Sequence, residues 1–114
     1  MGWEVNITTE CQDWYETLPQ ADQEEVRAYV ELLEESGPGL GRPAVDSIKG
    51  SRHHNMKELR PGTMRVLFCF DPRRQVILLV GGDKRDNWTE WYETSIRLAD
   101  DLYDKYLQEI EDEP

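Results

Sequence analysis

Apolar and polar positions divide the chain into segments of distinct period. Trp3-Glu4-Val5-Asn6-Ile7 alternates, the period-two pattern of a short strand. Thr8 or Thr9 then offers a capping side chain. Cys11, Trp14, Tyr15 and Leu18 follow at helical spacing until Pro19 breaks the run. A second helix is expected from about Ala21 to Ser36, with Val26, Tyr29, Val30 and Leu33 on one face. Gly37 supplies a left-handed residue and Pro38 cannot continue a helix, so the helix stops there and residues 37–43 form a loop. Three strands are expected next. Asn55 to Arg60 ends at the turn Pro61-Gly62. Met64 to Asp71 alternates, with Met64, Val66, Phe68 and Phe70 on one face and Arg65, Leu67, Cys69 and Asp71 on the other. After the turn Asp71-Pro72-Arg73-Arg74, Gln75 to Gly81 is continuously apolar, as in a central strand covered on both faces. A long final helix is expected after Asn87 as cap, with Glu90 three residues on. Its stripe is Trp88, Tyr92, Ile96, Ala99, Tyr103, Tyr106 and Ile110. The acidic residues 109–114 are expected to fray.

This order predicts an α+β domain: an antiparallel sheet with two N-terminal helices and a long C-terminal helix. At 114 residues the chain is expected to be one domain. No apolar run reaches the roughly 18–20 residues of a membrane span, and the first residues lack a basic start followed by an apolar stretch. Cys11 and Cys69 have neither metal spacing nor a disulfide pattern, so a reduced cytoplasmic protein is expected, with Cys69 as a core residue.

Charge changes the picture. The net charge is −11, which argues against nucleic-acid binding, but it is unevenly distributed. Residues 49–85 hold nine Lys or Arg against three acids, +6, and the rest of the chain is −17. A basic centre between acidic ends suggests a binding surface for an anion. The competing reading is of solvated acidic helix faces around ordinary strand-edge bases.

Several segments, taken in order, resemble the RelE/ParE toxin superfamily and its HigB-like, phage-derived branch. They are Gly41-Arg42-Pro43 with Val45-Asp46, then Asn55 to Arg60, Met64 to Pro72, Leu78 to Lys84, and Trp91-Tyr92 opening a helix with Ile96, Ala99 and Tyr103. The resemblance runs from about Trp3 to Leu107. It implies a small toxin encoded beside an antitoxin, with a helix-turn-helix protein as the expected partner and a toxin–antitoxin hetero-oligomer as the expected assembly. It also implies mRNA cleavage on translating ribosomes. The ParE branch instead poisons DNA gyrase. A third alternative is a non-catalytic interaction module on the same fold. The chain's acidity departs from the basic character common among ribosome-targeting members.

Metal-independent RNA cleavage needs a base for the 2′-OH, cations for the charged phosphorane and an acid for the leaving 5′-oxygen. Arg65 is the foremost candidate. Alternation points it away from the Val66 face, and a guanidinium forks two phosphate oxygens. It also matches the arginine of the family's central strand. Lys57, one strand over, is a candidate base or phosphate holder. Lys84 matches a basic residue of the family, and Tyr92 matches a tyrosine that some relatives stack on the target base. His54 has the right range for proton transfer. Arg52, His53, Arg60, Arg85, Arg73 and Arg74 are further phosphate-binding candidates. Adjacent histidines without a supporting cluster predict no metal, and no cofactor is expected.

Overall fold

In the computed structural model, residues 2–83, 85 and 88–113 are described, Trp88 by its backbone alone. The elements run β1 (Glu4–Ile7), α1 (Thr9–Glu16), α2 (Gln20–Ser36), β2 (Val45–Ser47), β3 (Lys57–Leu59), β4 (Met64–Asp71), β5 (Gln75–Asp83) and α3 (Trp88–Glu111). The five strands form one sheet in the order β1-β5-β4-β3-β2. β2 to β5 are antiparallel to their neighbours, whereas β1 runs parallel to β5.

The predicted stops and starts have local causes. Thr8 accepts the Cys11 amide and begins α1. Gly37 ends α2 at φ +55, and a Cβ there would stand 2.2 Å from the Trp3 indole nitrogen. Only glycine satisfies both the left-handed backbone and the packed indole. β2 was not anticipated, because three residues are too few to show a period. β3 is shorter than the expected Asn55 to Arg60, and β5 is two residues longer than expected. α3 runs on to Glu111, so residues 109–111 are helical rather than frayed. The expected cap Asn87 and the side chain of Trp88 lie outside the described residues.

The sheet is covered on both faces. Leu59, Val66, Phe68, Val76 and Leu78 pack with Cys11 and Leu33 beneath α1 and α2. Leu67, Cys69, Ile77, Leu79 and Val80 pack with Ala99 and Tyr103 beneath α3. Side chains such as Phe68, Leu33 and Leu79 are fully buried, each contributing roughly 1.5–3 kcal/mol. A register shift at Leu67/Phe68 lets both Leu79 and Val80 face α3. β5 is an interior strand, flanked by β1 and β4, and its unbroken apolar run is covered on both faces. Burial pushes the thiols of Cys11 and Cys69 up to about 12, so both are inert core groups.

Candidate functional site

The α3 face of the sheet carries a polar group near the start of β4. Arg65 pairs with Gly82 across the β4–β5 ladder, and Glu58 pairs with Leu67 across β3–β4. Cross-strand partners share a face, so Arg65 and Glu58 both lie under α3. A Cβ on Gly82 would stand 2.1 Å from the Trp91 indole nitrogen. The glycine therefore lets the first turns of α3 settle onto the sheet beside Arg65.

Arg65 is only 5% exposed and Glu58 only 7%. The Arg65 Nη1 donates to the carbonyls of Gly62 at 2.9 Å and Met64 at 2.7 Å. Its Nε lies 3.7 Å from Glu58 Oε1. The Tyr92 hydroxyl, from the first turns of α3, donates to the same carboxylate oxygen. Burial, and then the neighbouring Glu58 carboxylate, push the Tyr92 phenol well above its usual range. Tyr92 is therefore a proton-bearing donor near neutrality, and Glu58 is the acceptor. Alternation aimed Arg65 away from α1 and α2, as expected. It did not reveal that α3 covers the opposite face, so the guanidinium is buried rather than open to phosphate.

The other predicted residues are scattered. Lys57 pairs with Phe68 and so stands on the opposite face of the sheet from Arg65. Arg60 lies 3.7 Å from Asp46. Arg52 meets Asp104 at 2.5 Å and Asp101 at 3.0 Å. His53 Nε2 is 2.7 Å from Asp104, with its ring edge against Tyr103. The hydrogen bond from Arg52 holds the Asp104 carboxyl below its usual range. His54 is exposed. Arg73 reaches Glu113 at 3.1 Å and the Tyr106 hydroxyl at 3.3 Å. Arg74 adopts φ +63 and lays its guanidinium over the Trp3 ring. Arg85 meets Asp83 at 2.6 Å. Lys84 lies outside the described residues. Among the described residues, the basic segment therefore does not assemble into one patch. Most of its arginines are neutralised by acids, several from α3.

The structure adds residues that the pattern did not single out. Glu58 is one, although its place in β3 between Lys57 and Leu59 put it on the Arg65 face. A cleft of about 440 Å³ also opens beside Tyr92, lined by Lys49, Gly50, Thr89, Glu93, Ile96 and Arg97. Neither Lys49 nor Arg97 carried a sequence signal beyond its charge. Among the described residues, no group of three or more His, Cys, Asp or Glu side chains is placed to hold a metal ion. None of their helices is long and apolar enough to cross a membrane.

Known proteins resemble the chain at two levels. The family "Phage derived protein Gp49-like (DUF891)" matches residues 13–104. Two Mycobacterium tuberculosis proteins that carry toxin names are similar to it. HigB2 is 44% identical over 98% of this chain, which spans 58% of HigB2. HigB3 is 45% identical over 90% of the chain and 92% of HigB3. Among solved structures, the archaeal RelE–RelB complex from Pyrococcus horikoshii aligns with TM-score 0.61 and 18% identity, over 75% of this chain and 99% of that one. The YoeB dimer from Staphylococcus aureus aligns with TM-score 0.58 and 12% identity, over 70% and 94%. At those identities the structures establish the fold alone. The fold is RelE-like, and by its sequence the chain belongs to the phage-derived Gp49-like family and is similar to the HigB-named toxins.

Proposed function

We propose that this chain is the toxin of a type II toxin–antitoxin pair and that it cuts mRNA, on translating ribosomes in the cytoplasm, without a metal. The observation that carries this reading is the meeting of Glu58, Arg65 and Tyr92 where β3, β4 and α3 come together. Each has a role in attack by a 2′-OH on the adjacent phosphate. Glu58 takes the 2′-OH proton as the 2′-oxygen bonds to phosphorus. Arg65 offsets the charge of the phosphorane. Tyr92, kept protonated, donates toward the 5′-oxygen as the P–O5′ bond breaks, leaving a 2′,3′-cyclic phosphate and a 5′-OH. The Tyr92–Glu58 hydrogen bond covers the pair, so RNA reaches Arg65 only when Tyr92 turns aside. A small helix-turn-helix protein encoded alongside is the expected antitoxin.

The test maps new RNA 5′ ends after brief induction of the native chain, beside Glu58→Gln and Arg65→Lys. Both substitutions keep much of the volume and polarity of the buried pair. New ends inside translated frames, lost in Glu58→Gln, support the reading. Growth arrest with intact RNA would point to a bound target such as DNA gyrase, and no arrest would leave an interaction module.

A further inference from the structure

Most cations among the described residues are committed to the chain's own acids, carbonyls, hydroxyls or rings. Among the described residues, four make no ion pair, hydrogen bond or ring contact: Lys49, Lys57, Lys105 and Arg97. Lys57 stands on the α1/α2 face of the sheet, and Lys105 borders a separate cavity together with Glu109. The remaining two line one cleft, and that cleft also holds Tyr92.

The cleft is firmly built on both sides. One wall is the first turns of α3. The other is the loop at 49–50, tied to α3 immediately afterwards. Ser51 Oγ donates to Asp100 at 2.5 Å, and the Arg52 amide donates to the second oxygen of that carboxylate at 3.0 Å. Asp100 is 2% exposed, so this tie is shielded from solvent. Gly50, at φ +93, has no atom within 4 Å of the place a Cβ would take, and the loop backbone is open there. Glu93 contributes one carboxylate to the wall, so the lining side chains carry a net charge of about +1. Uncommitted cations beside an aromatic ring are what a single-stranded nucleic acid uses, with phosphates on the cations and a base against the ring.

We propose that this cleft is the track for single-stranded RNA, with Lys49 and Arg97 holding backbone phosphates and leading the strand to Tyr92. The inference rests on the ribonuclease reading and assigns that site its substrate path. RNA is favoured over an acidic protein segment because the cleft shares Tyr92 with the Glu58–Arg65 pair.

The experiment measures fluorescence anisotropy of a labelled single-stranded 2′-O-methyl RNA, which cannot be cleaved through its 2′-oxygen, with the full chain over a range of salt. The native chain should bind, and Lys49→Ala/Arg97→Ala should bind roughly tenfold more weakly for each cation removed. The slope of log affinity against log salt should fall by about 1.4, the value for two phosphate contacts to a single strand. Glu93→Gln should tighten binding, and Lys105→Ala should leave it unchanged. Unaltered binding by the double variant would overturn the inference, and so would failure of the native chain to bind this RNA at low salt. Binding that depends on both residues, in a chain that produces no new RNA ends in cells, would uphold the cleft and remove the nuclease reading.

Discussion

Each end of α3 brings a tyrosine, a carboxylate and an arginine together, and the two trios are built differently. Toward the C-terminal end, the Tyr106 hydroxyl donates to Asp71 at 2.7 Å, and Arg73 lies 3.6 Å from the same carboxylate. Asp71 also accepts the backbone amides of Arg73 at 2.8 Å and Gln75 at 3.2 Å, which closes the β4–β5 hairpin. That arginine is 43% exposed. Near the N-terminal end, Tyr92 and Arg65 meet Glu58, the arginine is buried, and the adjoining cleft is open. A carboxylate spent on backbone amides holds a turn. A carboxylate whose partners are side chains is available to a substrate once one of them moves.

The sharpest way to break this contrast is Arg65→Ala. It leaves the Glu58 carboxylate buried without its cation, which should cost about 3–5 kcal/mol in urea unfolding. A loss below about 1 kcal/mol would mean that the pair is not the buried unit described above.

Phenylalanine at each tyrosine sharpens the contrast further. Tyr92→Phe removes the hydroxyl that donates to Glu58, and Tyr106→Phe removes the hydroxyl that donates to Asp71 and accepts from Arg73; each should cost roughly 1–2 kcal/mol of stability. Only Tyr92→Phe should slow RNA cleavage, by roughly 10²-fold or more. Equal loss of cleavage from both would erase the distinction between the two ends of the helix.

The smallest effect concerns pH. The Arg85 side chain, foremost among several causes, lowers the Asp83 carboxyl from 3.8 to about 2. A depressed carboxylate stabilises the fold above its ordinary range and loses that contribution as pH falls toward 2. Arg85 is 70% exposed, so screening limits the contribution to about 0.5 kcal/mol. Asp83→Asn should therefore be slightly less stable than the native chain at pH 6 and indistinguishable from it at pH 2. A difference that persists at pH 2 would assign the stabilisation to packing instead.

The helices, the central strand and the hairpin were legible because each announces itself within a few neighbouring residues. Thr8, Gly37 and the Asp71 turn act through local backbone geometry. The candidate site was legible only in part. Arg65 and Tyr92 stood out one at a time, but Glu58, which joins them, did not. Lys57 looked like a companion of Arg65 until the strand register put it on the other face.

The charge pattern misled for a related reason. Counting charge along the chain made residues 49–85 a basic block. In space, Arg52 meets Asp104, 52 positions away, and Arg73 meets Glu113, 40 positions away. Ion pairs obey distance through space, which is set only after α3 has packed on the sheet.

Local order therefore belonged to the amino-acid pattern: periods of two and 3.6, caps, turns, a buried central strand and an α+β domain. Tertiary packing decided which sheet face α3 covers, which cations it neutralises, and that Lys49 and Arg97 are left to line a cleft beside Tyr92. Periodicity and capping arise from bonded geometry among near neighbours. Burial, pairing and an open cleft arise from contacts between segments distant in the chain, and only the folded arrangement brings those within reach.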